Sequence, residues 1–141
     1  MKVLLDTNVV LDVLLVREPH FEDAKALFTL VAAESIRGYV TANSILDTYY
    51  VACKRVPKIE ARAAIRNLMD MFSVISVEER DCERALLIDL SDFEDAVLLC
   101  CGKRADIDVI VTRDAELQNA QYGKIQVVAP DALRKMLSHP M

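Results

Sequence analysis

The feature that most limits the possible folds is the run Val109-Ile110-Val111-Thr112, in which every residue is β-branched. β-Branched side chains favour extended backbone. A strand without alternating polar residues is typical of a parallel sheet whose two faces are both covered. A second short apolar segment, at 2–6, ends in Asp6, and the first is followed after one residue by Asp114. The two segments therefore predict a parallel sheet with acidic residues at one edge.

Other segments of the chain alternate between strand-like and helix-like patterns. We predict further strands at about 39–42, 73–77 and 125–128, with Gly38 ending the connection before the first of these. Helices are predicted at about 9–16, 21–33, 44–55, 57–72, 80–90, 91–104 and 130–137. Because right-handed crossovers place helices on both faces of a parallel sheet, this alternation predicts a three-layer α/β/α sandwich. Its central sheet should be mostly parallel, with four to five strands.

The length of the chain sets its domain organisation. With 141 residues and 53% hydrophobic content, it fits one compact domain spanning 1–141. No apolar signal segment precedes Asp6, and no later apolar run approaches the roughly 20 residues of a membrane span. We therefore expect a soluble, cytoplasmic protein without membrane contact.

Composition also narrows the classes of site. A formal charge of -5 argues against a broadly basic surface for nucleic acid, so any such contact must be local. The four cysteines contain no Cys-x-x-Cys pair, and only His20 and His139 could join them in a zinc site. We interpret the cysteines as reduced core or helix residues.

Four aspartates are predicted to meet at one edge of the sheet. Asp6 directly follows the first strand, and Asp114 follows Val109–Thr112 after one residue. Asp47 lies one turn into the helix after the second strand, and Asp95 lies near the start of the helix before Val109. Four converging carboxylates would raise one another's pKa unless a cation neutralised them. Oxygen ligands favour Mg²⁺ or Mn²⁺, which can also bind substrate phosphate.

Each acid also has an ordinary structural interpretation. Asp114 could cap a short helix beginning at Ala115. Asp47 could complete a capping-box-like pair with Ser44, and Ser91 with Glu94 matches the Ser-x-x-Glu capping pattern.

The two residues after Asp6 leave alternatives open. Thr7 and Asn8 could orient the Asp6 carboxylate through hydrogen bonds, or Asn8 could cap the first helix, and both roles can coexist. Asp12 is interpreted as a surface or helix-pairing residue.

Three motifs in order resemble the PIN-domain nucleases: Asp6-Thr7-Asn8 after the first strand, Asp95-Ala96 opening a helix, and Val111-Thr112-Arg113-Asp114 ending a strand. The resemblance extends over nearly the whole chain. The segments 6–12, 17–20 and 92–96 look like the PIN branch that contains many VapC-like prokaryotic toxins.

The resemblance implies a ribonuclease that uses Mg²⁺ or Mn²⁺ to activate water and leaves 5′-phosphate and 3′-hydroxyl ends. Its catalytic residues would be Asp6, Asp47, Asp95 and Asp114. Asp6, Asp95 and Asp114 would hold the metal, whereas the family commonly has Glu at the place of Asp47. Supporting roles would fall to Thr7, Asn8, Asp92 and Thr112.

Asp92 and Glu94 are alternative candidates for the catalytic role assigned to Asp95. Asp92 lies one helical turn earlier and can share its face, whereas Glu94 should point elsewhere. Glu116 is only a possible auxiliary ligand.

The implied partners are an RNA substrate, a cognate antitoxin protein and a second copy of the chain. The dimer contact could be the helix face bearing Ile45, Tyr49 and Tyr50, unless that face packs on the sheet. A housekeeping RNA-processing PIN nuclease would share the same chemistry. A non-catalytic PIN-like interaction module would instead use the acids for caps and dimer contacts.

Overall fold

A computed structural model describes residues 1–138, which contain one sheet of five parallel strands in the order β3-β2-β1-β4-β5. The strands are β1 Lys2–Leu5, β2 Arg37–Thr41, β3 Ser73–Ile75, β4 Val109–Val111 and β5 Gln126–Val128. β1 lies between β2 and β4, with Val3 opposite both Gly38 and Val109. All strands therefore end at the same edge of the sheet.

Helices cover both faces of this sheet. Within residues 1–138 they are α1 Thr7–Leu14, α2 Phe21–Ala32, α3 Ala42–Ala52, α4 Lys58–Met71, α5 Glu79–Ala85, α6 Phe93–Arg104, α7 Ala115–Gln118 and α8 Pro130–Ser138. Val3 and Leu5 of β1 belong to one core cluster, which includes residues of α1, α2 and α8. Leu4 points to the other face and packs in a cluster with Leu99 of α6. The predicted α/β/α sandwich is confirmed.

The prediction that Gly38 ends a connection is wrong, because Gly38 lies inside β2. A Cβ atom at this position would lie 2.6 Å from two ring carbons of Phe72 and 2.8 Å from a methyl group of Val31. Close packing of α2 and the end of α4 against β2 thus requires a residue without a side chain here. Gly38 thus marks a close approach between elements rather than a turn.

A buried ion pair fixes α6 against α5. Arg104 donates hydrogen bonds to the wholly buried carboxylate of Asp81 at 3.0 Å and pairs with Glu78 at 2.9 Å. Burial alone would raise the pKa of Asp81, but hydrogen bonds from Arg104, the Glu78 backbone and Cys101 hold that pKa below its usual value. This pair secures the C-terminal end of the helix that carries Asp95 near its start.

All four cysteines are free, and three of them lie in helices as expected, whereas Cys53 follows the end of α3. Cys100 and Cys101 are buried in α6, Cys82 is half-buried and Cys53 is exposed. His139, considered above as a zinc ligand, lies outside the described residues. No helix within residues 1–138 is both long and apolar enough to cross a membrane.

Candidate active site

An acidic cleft of about 290 Å³ opens at the edge where the strands end. Residues that follow β1, β2, β3 and β4 all contribute to its wall. Its acidic side chains are Asp6, Asp47, Asp92, Glu94, Asp95 and Asp114. The described residues that line it include no lysine, arginine or histidine. The structure thus brings together all four aspartates that the sequence places at this edge, with two further acids.

Asp6 is held in a fixed orientation by hydrogen bonds to both carboxylate oxygens. The N–H of Thr7 donates to Oδ1 at 2.8 Å, which makes Asp6 the N-cap of α1. The hydroxyl of the buried Thr112 donates to Oδ2 at 2.8 Å and accepts the N–H of Asp114 at 3.1 Å. Thr112 therefore ties the end of β1 to the end of β4.

The pKa of Asp6 is raised above its ordinary value, chiefly because the carboxyl is buried. Hydrogen bonds from Thr112 and Thr7 oppose this rise, and the charges of Asp114 and Asp92 add to it. The negative charges of Asp114 and Asp92 therefore disfavour ionisation of Asp6.

Asp114 caps the short helix α7, as one interpretation of the sequence predicted. Its Oδ1 accepts the N–H of Leu117 at 2.9 Å. The same side chain lines the cleft and raises the pKa of both Asp6 and Asp95. The capping role and a place in the acidic site coexist in this residue.

The predicted Ser91–Glu94 capping box is wrong, because Asp92 is the N-cap of α6. Asp92 accepts the N–H groups of Glu94 at 2.9 Å and Asp95 at 3.3 Å. Ser91 instead donates its N–H and hydroxyl to Glu116 at 3.0 and 2.7 Å. Glu116 therefore fixes the loop before α6 and does not line the cleft.

Asp95 is the most perturbed acid of the cleft. Burial, followed by the charges of Asp6, Asp92, Asp114 and Glu116, raises its pKa to about 7. The side chain therefore carries only part of its charge near neutral pH, because burial and the neighbouring acids both disfavour its ionised form.

The expectation that Glu94 points elsewhere is wrong. Its side chain lines the cleft, and its pKa is raised by burial and by the charges of Asp47, Asp92 and Asp6. Glu94 lies in the first turn of a helix that begins at the cleft wall. At such a helix end, side chains on more than one face can border the same opening.

Asp47 reaches the cleft from α3 without capping that helix. The predicted Ser44–Asp47 pair is wrong, because Thr41 is the N-cap and its hydroxyl accepts the Ser44 N–H at 3.1 Å. The Ser44 hydroxyl lies 2.7 Å from that of Thr7. The amide of Asn43 donates to Asp47 at 3.4 Å, so this carboxylate has few protein partners.

Thr7 and Asn8 both line the cleft, but neither caps a helix. The hypothesis that Asn8 caps α1 is wrong, since Asp6 occupies that position. Asn8 lies inside α1 with its side chain exposed. Thr7 instead links α1 to α3 through Ser44.

One pair near the site was not anticipated from the sequence. Asp12 is fully buried rather than on the surface, and it accepts two hydrogen bonds from Arg113, at 2.7 Å to Nε and 3.1 Å to Nη2. Arg17 approaches the same carboxylate at 3.9 Å. Arg113 lies between Thr112 and Asp114, so the pair attaches that segment to α1. No local pattern reveals a contact between residues this far apart in the chain.

No group of three or more acidic, histidine or cysteine side chains within residues 1–138 already has an arrangement that could hold a metal ion. The six acids line the walls of the cleft, and three of them also accept N–H groups at helix starts. The cleft therefore presents a set of oxygen ligands around an open space.

The family model described as PIN domain matches residues 2–116 of the chain. No curated protein matches the chain significantly.

Solved structures with the same fold include a toxin-antitoxin complex from Klebsiella pneumoniae, at 21% identity and a TM-score of 0.66, covering 91% of this chain and 97% of that one. VapC20 of Mycobacterium tuberculosis, described as a sarcin-ricin loop cleaving toxin, has 17% identity and a TM-score of 0.68, covering 86% of this chain and 97% of that one. DNA-bound VapBC of Salmonella typhimurium has 14% identity and a TM-score of 0.67, with 92% and 98% covered. At these identities the likeness concerns the fold.

Proposed function

The chain belongs to the PIN domain family, and from this premise we propose that it is a metal-dependent ribonuclease, the toxin of a VapBC-type toxin-antitoxin pair. The observation that carries the proposal is the meeting of Asp6, Asp47, Asp95 and Asp114 in one cleft without a cationic side chain among its described lining residues. Support for the toxin role comes from the fold shared with VapC20, which is described as a sarcin-ricin loop cleaving toxin.

The ligands of the cleft fit Mg²⁺ or Mn²⁺. All of its charged groups are carboxylates, which are hard oxygen ligands. Mg²⁺ keeps several waters and needs only a few carboxylates plus substrate phosphate, so it does not require a closed cage of side chains. Asp6, Asp95 and Asp114 would hold the ion. When bound, it would activate water and neutralise the charge that develops on the phosphodiester.

The supporting residues orient these carboxylates. Thr112 and the Thr7 backbone fix both oxygens of Asp6, and Asp92 holds the helix start that presents Asp95. Asn8 is exposed at the cleft, where its amide can bind solvent or substrate. Hydrolysis at this site would leave 5′-phosphate and 3′-hydroxyl ends.

A non-catalytic interaction module is the competing hypothesis, and the caps formed by Asp6, Asp92 and Asp114 favour it for those residues. It does not account for Asp95, which caps nothing and whose pKa of about 7 reflects burial among other acids. An uncharged residue at position 95 would serve a purely structural role better.

The direct test measures cleavage of a structured RNA by the purified chain with Mg²⁺. Asp6→Asn and Asp95→Asn should each abolish cleavage, while Asp6→Asn keeps an oxygen at the cap of α1. Asp106→Asn is the matched control, because Asp106 lies in the left-handed region (φ 57°), which Asn tolerates, and lines a different pocket. Full activity in both active-site variants would contradict the proposal.

A cognate antitoxin would restrain the toxin by placing a segment in the acidic cleft or by displacing the metal. Expression of the chain in cells should then be toxic, and a small protein encoded beside it should relieve the toxicity. Cleavage of RNA without such toxicity would favour the housekeeping RNA-processing nuclease.

A homodimer is proposed through the groove between α3 and α4. Ile45, Tyr49 and Met69 line this groove. The buried residues of α3 are Ser44, Thr48 and Ala52. Sedimentation velocity should show a dimer that Tyr49→Glu dissociates. We further propose that the protein acts in the cytoplasm, where its RNA substrate would be.

A further inference from the structure

Tyr50 is the one aromatic residue among the described residues that line the acidic cleft. It lies on α3 one helical turn after Asp47, so the ring and the carboxylate belong to the same wall. Tyr50 is 66% exposed, and its ring is therefore available to a bound molecule. The sequence grouped Tyr50 with Ile45 and Tyr49 as a dimer contact, but those two residues line the α3–α4 groove instead.

Lys54 places a positive charge next to this ring. Its Nζ lies 4.5 Å from the ring centroid of Tyr50, one turn farther along the chain. The described residues that line the cleft include six acids and no cationic side chain. Arg113, the basic residue beside Asp114, is committed to the buried carboxylate of Asp12. Lys54 is thus a cation placed beside the cleft wall without a buried acidic partner.

An aromatic face beside a lysine matches the chemistry of single-stranded nucleic acid. Nucleobases stack on aromatic side chains with little dependence on sequence, and the adjacent phosphates attract Lys and Arg. Single-stranded RNA is recognised in this way because its unstacked bases can be turned out toward the protein.

We propose that Tyr50 and Lys54 form a substrate subsite, in which Tyr50 stacks on an unpaired nucleobase and Lys54 contacts a phosphate next to the scissile one. This inference rests on the proposed ribonuclease function and extends it, since it assigns two residues of this chain to RNA binding beside the cleavage site. The subsite explains how a protein with a formal charge of -5 can hold RNA against a wall of carboxylates.

The test separates stacking from charge by comparing two RNA probes. Fluorescence anisotropy is measured with a labelled oligoadenylate and with an abasic RNA of the same length, all in an Asp95→Asn background that prevents cleavage. Tyr50→Leu should weaken binding of oligoadenylate on the order of tenfold and leave the abasic RNA unaffected. Tyr50→Phe, which keeps the ring, should bind like the parent.

Lys54→Ala should weaken binding of both probes and lower the slope of log affinity against log salt by about 1. The chain offers a matched control in Lys103, whose Nζ lies 4.9 Å from the ring centroid of Tyr122 but which lines a different pocket. Lys103→Ala should change neither affinity.

The outcomes separate the subsite from the enzyme. Cleavage of RNA by the otherwise unaltered chain, together with an affinity of Tyr50→Leu for oligoadenylate equal to that of the parent, would overturn the subsite and leave the ribonuclease standing. Absence of both cleavage and binding would overturn both. A Tyr50→Leu variant that changes the sedimentation coefficient but not RNA affinity would assign Tyr50 to a protein contact and refute the subsite.

Discussion

Arg113 lies between Thr112 and Asp114 in the chain, and its guanidinium donates two hydrogen bonds to the fully buried carboxylate of Asp12 in α1. Asp6 caps the same helix. The pair therefore joins the two segments that carry Asp6 and Asp114. Its contribution to stability depends on both partners, because a buried carboxylate without a partner costs far more than an absent pair.

Arg113→Met should lower the free energy of unfolding by about 3–5 kcal/mol, since it leaves Asp12 buried and charged without its main partner. Urea denaturation measures this change. The double variant Asp12→Asn/Arg113→Met removes the charge as well and should recover part of the loss. A loss below about 1 kcal/mol in the single variant would show that Arg17 or water replaces Arg113.

Thr112→Val should remove a donor to Asp6 and an acceptor for the Asp114 N–H while keeping a β-branched shape. We expect a loss of about 1–3 kcal/mol in unfolding free energy, because two partly buried polar groups lose their partner. RNA cleavage should fall more than in Thr112→Ser, which keeps the hydroxyl. Equal activity in the two variants would mean that the hydroxyl does not orient Asp6.

Without divalent metal, the stability of the protein should decrease as the pH rises from about 4 to about 7. The pKa of Asp95 is raised from 3.8, the value for an unfolded chain, to about 7 in the folded protein. The contribution of Asp95 to the free energy of unfolding is therefore fully present below the unfolded pKa and is lost as the pH rises through the folded pKa. The slope from one such group is at most about 1.4 kcal/mol per pH unit.

Asp95→Asn should flatten this pH dependence in denaturation curves recorded with EDTA, leaving a smaller slope from Asp6 and Glu94, whose pKa values are also raised. Asp106→Asn should keep the full slope. An unchanged slope in Asp95→Asn would show that Asp95 does not take up the proton.

Gly38→Ala should cost about 1–3 kcal/mol, because the new Cβ would lie within 2.6 Å of the Phe72 ring in a packed core. Gly102→Ala in α6 is the matched control. The nearest side-chain atom there is a terminal methyl carbon of Ile110 at 3.2 Å, and alanine gains helix propensity of about 1 kcal/mol. Thermal unfolding should therefore separate the two variants, and equal melting temperatures would contradict the packing argument.

The sequence was sufficient to predict the parallel sheet and the edge of it at which Asp6 and Asp114 lie. Asp6 directly follows an apolar strand and Asp114 lies shortly after another, and parallel strands end at one edge whatever the details of their helices. Sequence patterns were weaker where a single residue decides a helix start. Asp92, not Ser91, caps α6. Glu94 also lines the cleft, where the sequence did not place it.

Contacts between distant segments could not be predicted from local patterns. Asp12 is interpreted from the sequence as a surface or helix-pairing residue because it is an acid in a helix, and only the return of the chain through Arg113 gives it a buried partner. The position of Tyr50 in the cleft wall could not be predicted for a related reason, since the direction of its ring depends on where α3 lies against α1.

The caps formed by Asp6 and Asp92 have an electrostatic consequence for the cleft. They mark the N-terminal ends of α1 and α6, where the aligned peptide dipoles of each helix carry a partial positive charge. Two such ends face the gathered carboxylates, so the backbone itself offsets part of their mutual repulsion. The fold can therefore keep a strongly acidic cleft without bringing a lysine or arginine into it, where such a side chain would compete with any incoming cation.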